Sequence, residues 1–251
     1  MPSNRPLVFV DLDDTLFQTA RKMAPEAARH VATLDAQGQP NGFMNSVQQS
    51  FVSWLLATAD VVPVTARSVE VLGRVDIPFT LGAICSHGAV ILDAQGQRDE
   101  SWHTHISSQL ESFQQRLGAL SERTLALGTE REMSLRGWVV EEFGLHTYVV
   151  TKHNETCDDV LQLIGQCVSD EGLLDGMYIH RNGNNLAFLP KQLNKRFAVQ
   201  EWIRRDREIN GERPILGFGD SFSDLAFMSE CHWWATPRMS QIAVSLREHC
   251  E

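Results

Sequence analysis

The chain has 251 residues, of which 43% are hydrophobic and 22% are charged. These fractions are typical of a globular protein, and the length suits one large domain or two small ones. Acidic residues outnumber basic ones by 32 to 22, which gives a net charge near −10. Because a field of that sign repels nucleic-acid phosphates and anionic membrane surfaces, we expect neither as a partner. An anionic substrate would need a local positive charge, such as a metal ion.

The cysteines argue against a disulfide framework. There are five of them, and no two have the CxxC spacing: Cys85, Cys157, Cys167, Cys231 and Cys250. A structural zinc site is equally unexpected, and reduced thiols in the cytoplasm are the simpler interpretation. The apolar run at the amino terminus is too short for a signal peptide, and no run approaches the roughly 18 apolar residues of a membrane span. We therefore expect a cytoplasmic protein.

In the first third of the chain, short apolar runs alternate with helical patterns. The runs predict strands that are buried on both faces, as in a parallel sheet: 7–10, 60–64 and 79–85. Between them we expect a hairpin within 31–43 and helices that begin at Ser46 and Ser68. The first of these helices is expected to bury one face, formed by Val47, Phe51, Trp54 and Leu55.

The middle of the chain has a different pattern. Apolar residues recur at helical spacing over 106–120, and a second helix is expected at 159–168. Strands are predicted in pairs: 138–143 with 145–151, and 177–180 with 185–189. Paired strands with helices between them predict an α+β insert.

The alternating pattern then returns. It predicts these elements: a helix from Lys195 to about 205, a strand at 215–219, a helix at 223–229, a strand at 232–236 and a helix at 240–249. We therefore predict an α/β fold with a Rossmann-like parallel-sheet core made of residues 1–88 and 187–251, interrupted by an α+β domain at 89–186.

Polar residues follow the predicted core strands, at the edge where open parallel sheets bind ligands. They are Asp11, Asp13, Thr65, Lys195, Asp220 and Asp224. Crowded carboxylates repel one another unless a cation or a shared proton intervenes, and ligation by oxygen alone favours a hard cation, in the first place Mg²⁺ and otherwise Ca²⁺. A hydroxyl and an ammonium group suit the oxygens of a transferring phosphoryl group. Each residue alone also fits an ordinary role as a loop residue, a helix cap or a surface charge, and it is their shared edge that points to a site.

These segments resemble the four motifs of the haloacid dehalogenase superfamily. Residues 11–16 match its DxDxT motif, the strand that ends at Thr65 resembles the second motif, and residues 217–224 resemble the fourth, GDxxxD. Lys195 resembles the third motif, and we prefer it to the rival Lys191 because it opens a helix. The segment 84–91 looks like the entry to a C2-type cap, which points to subfamily IIB. The motifs are specific for the superfamily and much less so for the substrate.

The resemblance implies a Mg²⁺-dependent phosphatase that forms an aspartyl-phosphate. Asp11 would be the nucleophile, and Asp13 would act as general acid and then as general base. Thr65 and Lys195 would hold the phosphoryl oxygens. The resemblance also implies these groups around Mg²⁺: the carboxylates of Asp11 and Asp220, the backbone carbonyl of Asp13, and Asp224 directly or through water. We expect a small phosphorylated metabolite as substrate, in the first place a sugar phosphate, and a monomer or homodimer.

The sequence departs from the usual subfamily pattern at four positions: Asp14 replaces glycine, Ala66 replaces glycine, His87 replaces asparagine and Ser223 replaces asparagine. The loop and hairpin around 18–45 also lie between the first two motifs and are candidates for substrate contact.

Three other functions are consistent with part of the pattern. A phosphomannomutase-like phosphoryl transferase would use the same core, and the sequence does not separate it from a phosphatase. A phospho-accepting signalling module also combines acids, a hydroxyl and a lysine around Mg²⁺, but such modules place the accepting acid on a middle strand and lack an inserted domain. A catalytically idle relative would be expected to have lost Asp13.

Overall fold

A computed structural model describes residues 3–155 and 158–249. Contacts divide the chain into two compact units, which we call the larger unit (the chain up to Asp99 and from Asn194 onward) and the smaller unit (Glu100–Leu193). Cys167 and Cys231 are free thiols. The predictions for Cys157 and Cys250 lie outside the described residues. Within the described ranges, every helix is too short or too polar to cross a lipid bilayer.

The elements follow in chain order. The strands are β1 (Leu7–Val10), β2 (His30–Leu34), β3 (Pro40–Met44), β4 (Asp60–Pro63), β5 (Ala83–Cys85), β6 (Val90–Leu92), β7 (Leu135–Glu142), β8 (Leu145–His153), β9 (Met177–Asn182), β10 (Asn185–Pro190), β11 (Ile215–Phe218) and β12 (Trp233–Ala235). The α-helices are α1 (Ser46–Thr58), α2 (Val69–Leu72), α3 (Glu100–Leu110), α4 (Gln114–Glu130), α5 (Asp158–Asp170), α6 (Lys195–Asn210), α7 (Leu225–Met228) and α8 (Gln241–Glu248).

The unit boundaries differ from the sequence prediction, which placed them after residues 88 and 186. The first lies later because β6, beyond residue 88, pairs antiparallel with β5 and stays in the larger unit. The second also lies later because β10 pairs with both β8 and β9 and completes the sheet of the smaller unit. A short apolar run by itself does not show which sheet it joins.

A parallel sheet forms the centre of the larger unit. Its strand order is β12-β11-β1-β4, so β1 lies between two parallel neighbours. All four residues of β1 are buried, because this strand is covered on both faces. The predicted strand 79–85 is shorter in the structure, since only β5 is extended there. The predicted hairpin is present as β2 and β3.

The buried face of α1 differs from the prediction. Asn45 caps this helix in a reciprocal capping box with Gln48, so its start agrees with the pattern. Val47 and Trp54, however, are 78% and 55% exposed, and Val52 joins the core instead. A 3.6-residue period is compatible with several helix faces, and contacts with the sheet decide which one is buried.

The smaller unit contains one antiparallel sheet in the order β7-β8-β10-β9. Helices α4 and α5 both contact strands of this sheet. Gly165 of α5 lies against Ile179 and Leu186, and Leu125 of α4 lies near Gly137. The predicted strand pairs and the α+β character of this part of the chain are therefore observed.

Candidate active site

The parallel strands of the larger unit bring three candidate residues to one sheet edge. Asp11 follows β1 directly, and its N–H donates to the carbonyl of Phe218 at the end of β11 at 2.8 Å. Asp220 follows β11 after one glycine. Beyond β4, Val64 forms a parallel bridge with Ile84, which places Thr65 at the same edge. The carboxyl ends of neighbouring parallel strands necessarily meet in this way.

Lys195 is buried at this edge of the sheet, between two carboxylates. Its Nζ donates to Asp11 Oδ1 and to Asp224 Oδ1, each at 2.7 Å. All three side chains are buried, and Asp224 is only 1% exposed. The two carboxylates raise the pKa of Lys195 despite its burial, so the ammonium form is retained. Lys191, by contrast, is exposed and belongs to the smaller unit.

The start of α6 sets the position of Lys195. Asn194 caps the helix, with its Oδ1 accepting from the N–H of Arg196 at 2.9 Å. Gly88 packs against this turn with φ +98°, and a Cβ at that position would lie 2.7 Å from the carbonyl oxygen of Asn194. Glycine is therefore required at residue 88 for two reasons, the left-handed backbone and the close approach.

Asp224 uses both of its carboxylate oxygens within the protein. Oδ1 accepts from Lys195, and Oδ2 accepts from the backbone N–H and the hydroxyl of Ser221, at 3.1 and 2.6 Å. Although burial by itself would raise the pKa of Asp224, these donors lower it, and Lys195 contributes most. These bonds favour a role in orienting Lys195. The predicted contact of Asp224 with Mg²⁺, direct or through water, stays a prediction.

Asp13 is held by an arginine that the sequence analysis did not select. The Arg67 guanidinium forms a bidentate ion pair with Asp13, with N–O distances of 2.7 and 2.8 Å. The backbone N–H of Arg67 also donates to Thr65 Oγ1 at 3.1 Å. Because the Thr65 hydroxyl oxygen accepts this bond, its proton stays available for another acceptor. The position of Arg67, two residues after Thr65, was the only sequence signal for this role.

Asp14 occupies a left-handed backbone position with φ 64°. This conformation accounts for the glycine common there in the resembled subfamily, and aspartate is among the few other residues that tolerate it. The carboxylate of Asp14 forms an ion pair with Lys22 at 2.5 Å.

The charges at this edge do not balance within the described residues. The carboxylates of Asp11, Asp220 and Asp224 can place oxygens within 4.8 Å of one another, and the only basic group in the described part of the chain that pairs with any of them is Lys195. When all three carboxylates are ionised, one ammonium group leaves two negative charges, the amount that a divalent cation neutralises. Burial and the neighbouring Asp224 and Asp14 raise the pKa of Asp220 to about 7, and burial also raises the pKa of Asp11. This buried, oxygen-only donor set fits Mg²⁺.

No family model matches the sequence, and none of the curated proteins matches it. Solved structures do share its fold. The C-terminal domain of C. albicans trehalose-6-phosphate phosphatase aligns over 90% of this chain and 74% of its own length, at 14% identity and a TM-score of 0.60. A trehalose-6-phosphate phosphatase related protein aligns over 97% and 98%, at 19% identity and a TM-score of 0.50. A Thermoplasma acidophilum protein aligns over 97% and 89%, at 13% identity and a TM-score of 0.56.

At these identities the likeness concerns the fold. The predicted fold class, a Rossmann-like α/β core with an inserted α+β domain, is confirmed. The chain therefore shares its architecture with these three solved structures.

Proposed function

We propose that the protein is a Mg²⁺-dependent phosphatase that hydrolyses a small phosphomonoester, in the first place a sugar phosphate. The observation that carries the proposal is the buried group of Asp11, Asp220 and Asp224 with a single lysine among them. Its uncompensated charge favours a divalent cation, and a cation lets these acids approach a phosphoester without repulsion. The names of the C. albicans domain and of the related protein support sugar phosphates as the first substrates to test.

The residues of the larger unit supply the chemistry as follows. An Asp11 oxygen attacks phosphorus, the bond from phosphorus to the ester oxygen breaks, and Asp13 protonates the departing alcohol. Asp13 then accepts a proton from a water molecule that attacks the aspartyl-phosphate, which releases inorganic phosphate and restores Asp11. The Thr65 hydroxyl and the Lys195 ammonium group hold phosphoryl oxygens throughout. Mg²⁺, bound by Asp11, Asp220 and the Asp13 carbonyl, would neutralise the charge that develops on the phosphoryl group.

The proposal predicts that p-nitrophenyl phosphate and trehalose 6-phosphate release inorganic phosphate only with Mg²⁺ present. Asp11→Asn should lower this turnover by about 10³-fold or more, because the amide is a poor nucleophile. Glu70→Gln is the matched control, since Glu70 is an exposed acid that pairs with Arg74. Phosphate release is measured with and without chelator. Turnover by Asp11→Asn at the wild-type rate would refute Asp11 as nucleophile, and phosphate moved to a second hydroxyl would favour the phosphomutase alternative.

A further inference from the structure

One face of the parallel sheet in the larger unit is only partly covered. On this face β1 contributes Val8 and Val10, which are buried in the core beneath α1. Leu216 and Phe218 of β11 pair in register with these two residues and so lie on the same face, yet both are only half-buried. An inner strand of a parallel sheet is ordinarily buried on both faces. The cover that α1 provides therefore ends at β11.

The edge strand β12 lies beyond this cover. Trp233 pairs in register with Leu216 and extends the same face, and it is 63% exposed. Trp234, one position further, lies on the opposite face and is 46% exposed. Among the described residues, no strand lies on the outer side of β12. An edge strand presents unpaired N–H and C=O groups, which pair readily with a strand of another chain.

Aromatic side chains connect α1 to this edge. The ring centroid of Phe51 lies 5.4 Å from that of Phe218 and 5.9 Å from that of Trp54, which is 55% exposed. We call Trp54, Phe51, Phe218, Trp233 and Trp234 the aromatic surface. If a tryptophan side chain has about 250 Å² in all, the three tryptophans together expose roughly 400 Å². That area is about half of the ~800 Å² that each partner buries in a standard interface.

The elements that form the aromatic surface carry few charges. None of the 13 residues of α1 is charged, and β12 contains no charged residue either, although 22% of the chain is charged and its net charge is near −10. Two copies of an acidic chain repel each other, so they approach closely only where carboxylates are absent. Interface cores are likewise rich in aromatic residues and poor in charged ones. A basic partner would instead be drawn to acidic surface, so the charge pattern favours a second copy of this chain.

We propose that the aromatic surface is the interface of a two-fold symmetric homodimer, in which the β12 strands of two copies pair antiparallel along their outer edges. A strand edge is self-complementary in this arrangement, because each copy supplies the same donors and acceptors. The two four-stranded sheets then form one eight-stranded sheet, and Trp233 of each copy lies near Trp233 of the other. The inference goes beyond the proposed function, because it requires no chemistry at Asp11.

Sedimentation velocity of the full chain over a concentration series, up to about 100 μM, tests this interface. The wild type should shift from monomer to dimer as the concentration rises. Trp54→Glu and Trp233→Glu should each raise the dissociation constant by about 10²-fold or more, because the two-fold symmetry removes two tryptophans at once and adds two like charges. The matched control is Trp138→Glu, which changes a half-exposed tryptophan of the smaller unit and should dimerise as the wild type does.

A mixture of two variants distinguishes specific pairing from aggregation. Trp233→Lys alone should be monomeric, because the symmetry places two lysines side by side. An equimolar mixture of Trp233→Glu and Trp233→Lys should recover a dimer that contains one copy of each, because unlike charges then meet across the axis. Thermal unfolding confirms that each variant is folded. The proposal is overturned if the mixture stays monomeric, if the single variants dimerise as the wild type does, or if the wild type is a monomer at every concentration, which would leave the aromatic surface to a different protein.

Discussion

Asp220 and Asp224 belong to one sequence motif but have different partners in the structure. Asp224 is saturated by Lys195 and Ser221, whereas Asp220 pairs with no basic side chain among the described residues. We therefore predict that Asp220→Asn raises the Mg²⁺ concentration for half-maximal phosphatase activity by about tenfold or more, because it removes a charged ligand. Asp224→Asn should instead lower turnover at saturating Mg²⁺, because Lys195 loses a partner. Titration of activity with Mg²⁺ distinguishes the two, and identical profiles would contradict the assignment.

Arg67 holds the proposed general acid through both of its oxygens. We predict that Arg67→Met lowers turnover of an alkyl phosphate by up to about 10²-fold and that of p-nitrophenyl phosphate far less, because p-nitrophenolate leaves without a proton. Arg67→Lys should recover part of the loss. The control is Arg74→Met, which breaks an exposed pair with Glu70. An equal loss for both substrates would mean that Arg67 acts on the structure and not on proton transfer.

At the scale of elements, the site depends on where α6 begins. Gly88 and Gly38 both have positive φ, but only Gly88 has backbone within 4 Å of the position of a Cβ. Gly38→Ala should therefore cost about 1 kcal/mol of unfolding free energy from the left-handed backbone alone. Gly88→Ala should cost more and should also reduce phosphatase turnover, because the added methyl group displaces the turn that carries Lys195. Denaturant unfolding and activity assays measure the two effects, and equal effects of both substitutions would exclude the displacement.

At the scale of the whole larger unit, Arg213 connects the ends of its elements opposite the site. The guanidinium donates to Asp206 of α6 at 2.8 Å and to the carbonyl of Arg5, just before β1, at 2.8 Å. It also pairs with Asp60, the first residue of β4, at 2.5 Å. We predict that Arg213→Met lowers the free energy of unfolding by about 3–5 kcal/mol, because it leaves the buried Asp206 without its charge partner. Denaturant unfolding at neutral pH measures the loss.

The same network predicts a pH dependence. Burial acts to raise the pKa of Asp60, but hydrogen bonds from Ser3 and Arg213 lower it below its ordinary value. A lowered pKa in the folded state contributes stability at pH values above the unfolded pKa of about 4, and this contribution is lost as the pH falls through the folded pKa. The wild-type melting temperature should therefore fall more steeply below pH 4 than that of Asp60→Asn. Parallel curves for the two proteins would contradict this link.

Cytoplasmic location, the monomer or homodimer, and the exclusion of nucleic acid and membrane partners stay predictions for the whole molecule. They rest on the sequence alone, and size measurement of the purified protein in solution addresses the oligomeric state directly.

The sequence by itself was sufficient for the α/β order of elements and for the strand ends that carry Asp11, Thr65 and Asp220. These features depend on local patterns, because apolar runs, helix periods and caps reflect hydrogen bonding and burial within a few residues. The antiparallel pairs of the smaller unit were predictable for the same reason.

Only the tertiary structure decided which residues became partners. Lys195 and Asp11 are 184 positions apart, and Arg67 and Asp13 are 54 apart, so no local pattern joins them. The buried face of α1, the sheet that β10 joins, and the separate environments of Asp220 and Asp224 were also settled by long-range packing. A side chain's charge and type are local properties, but its partners and its burial depend on how distant segments pack together.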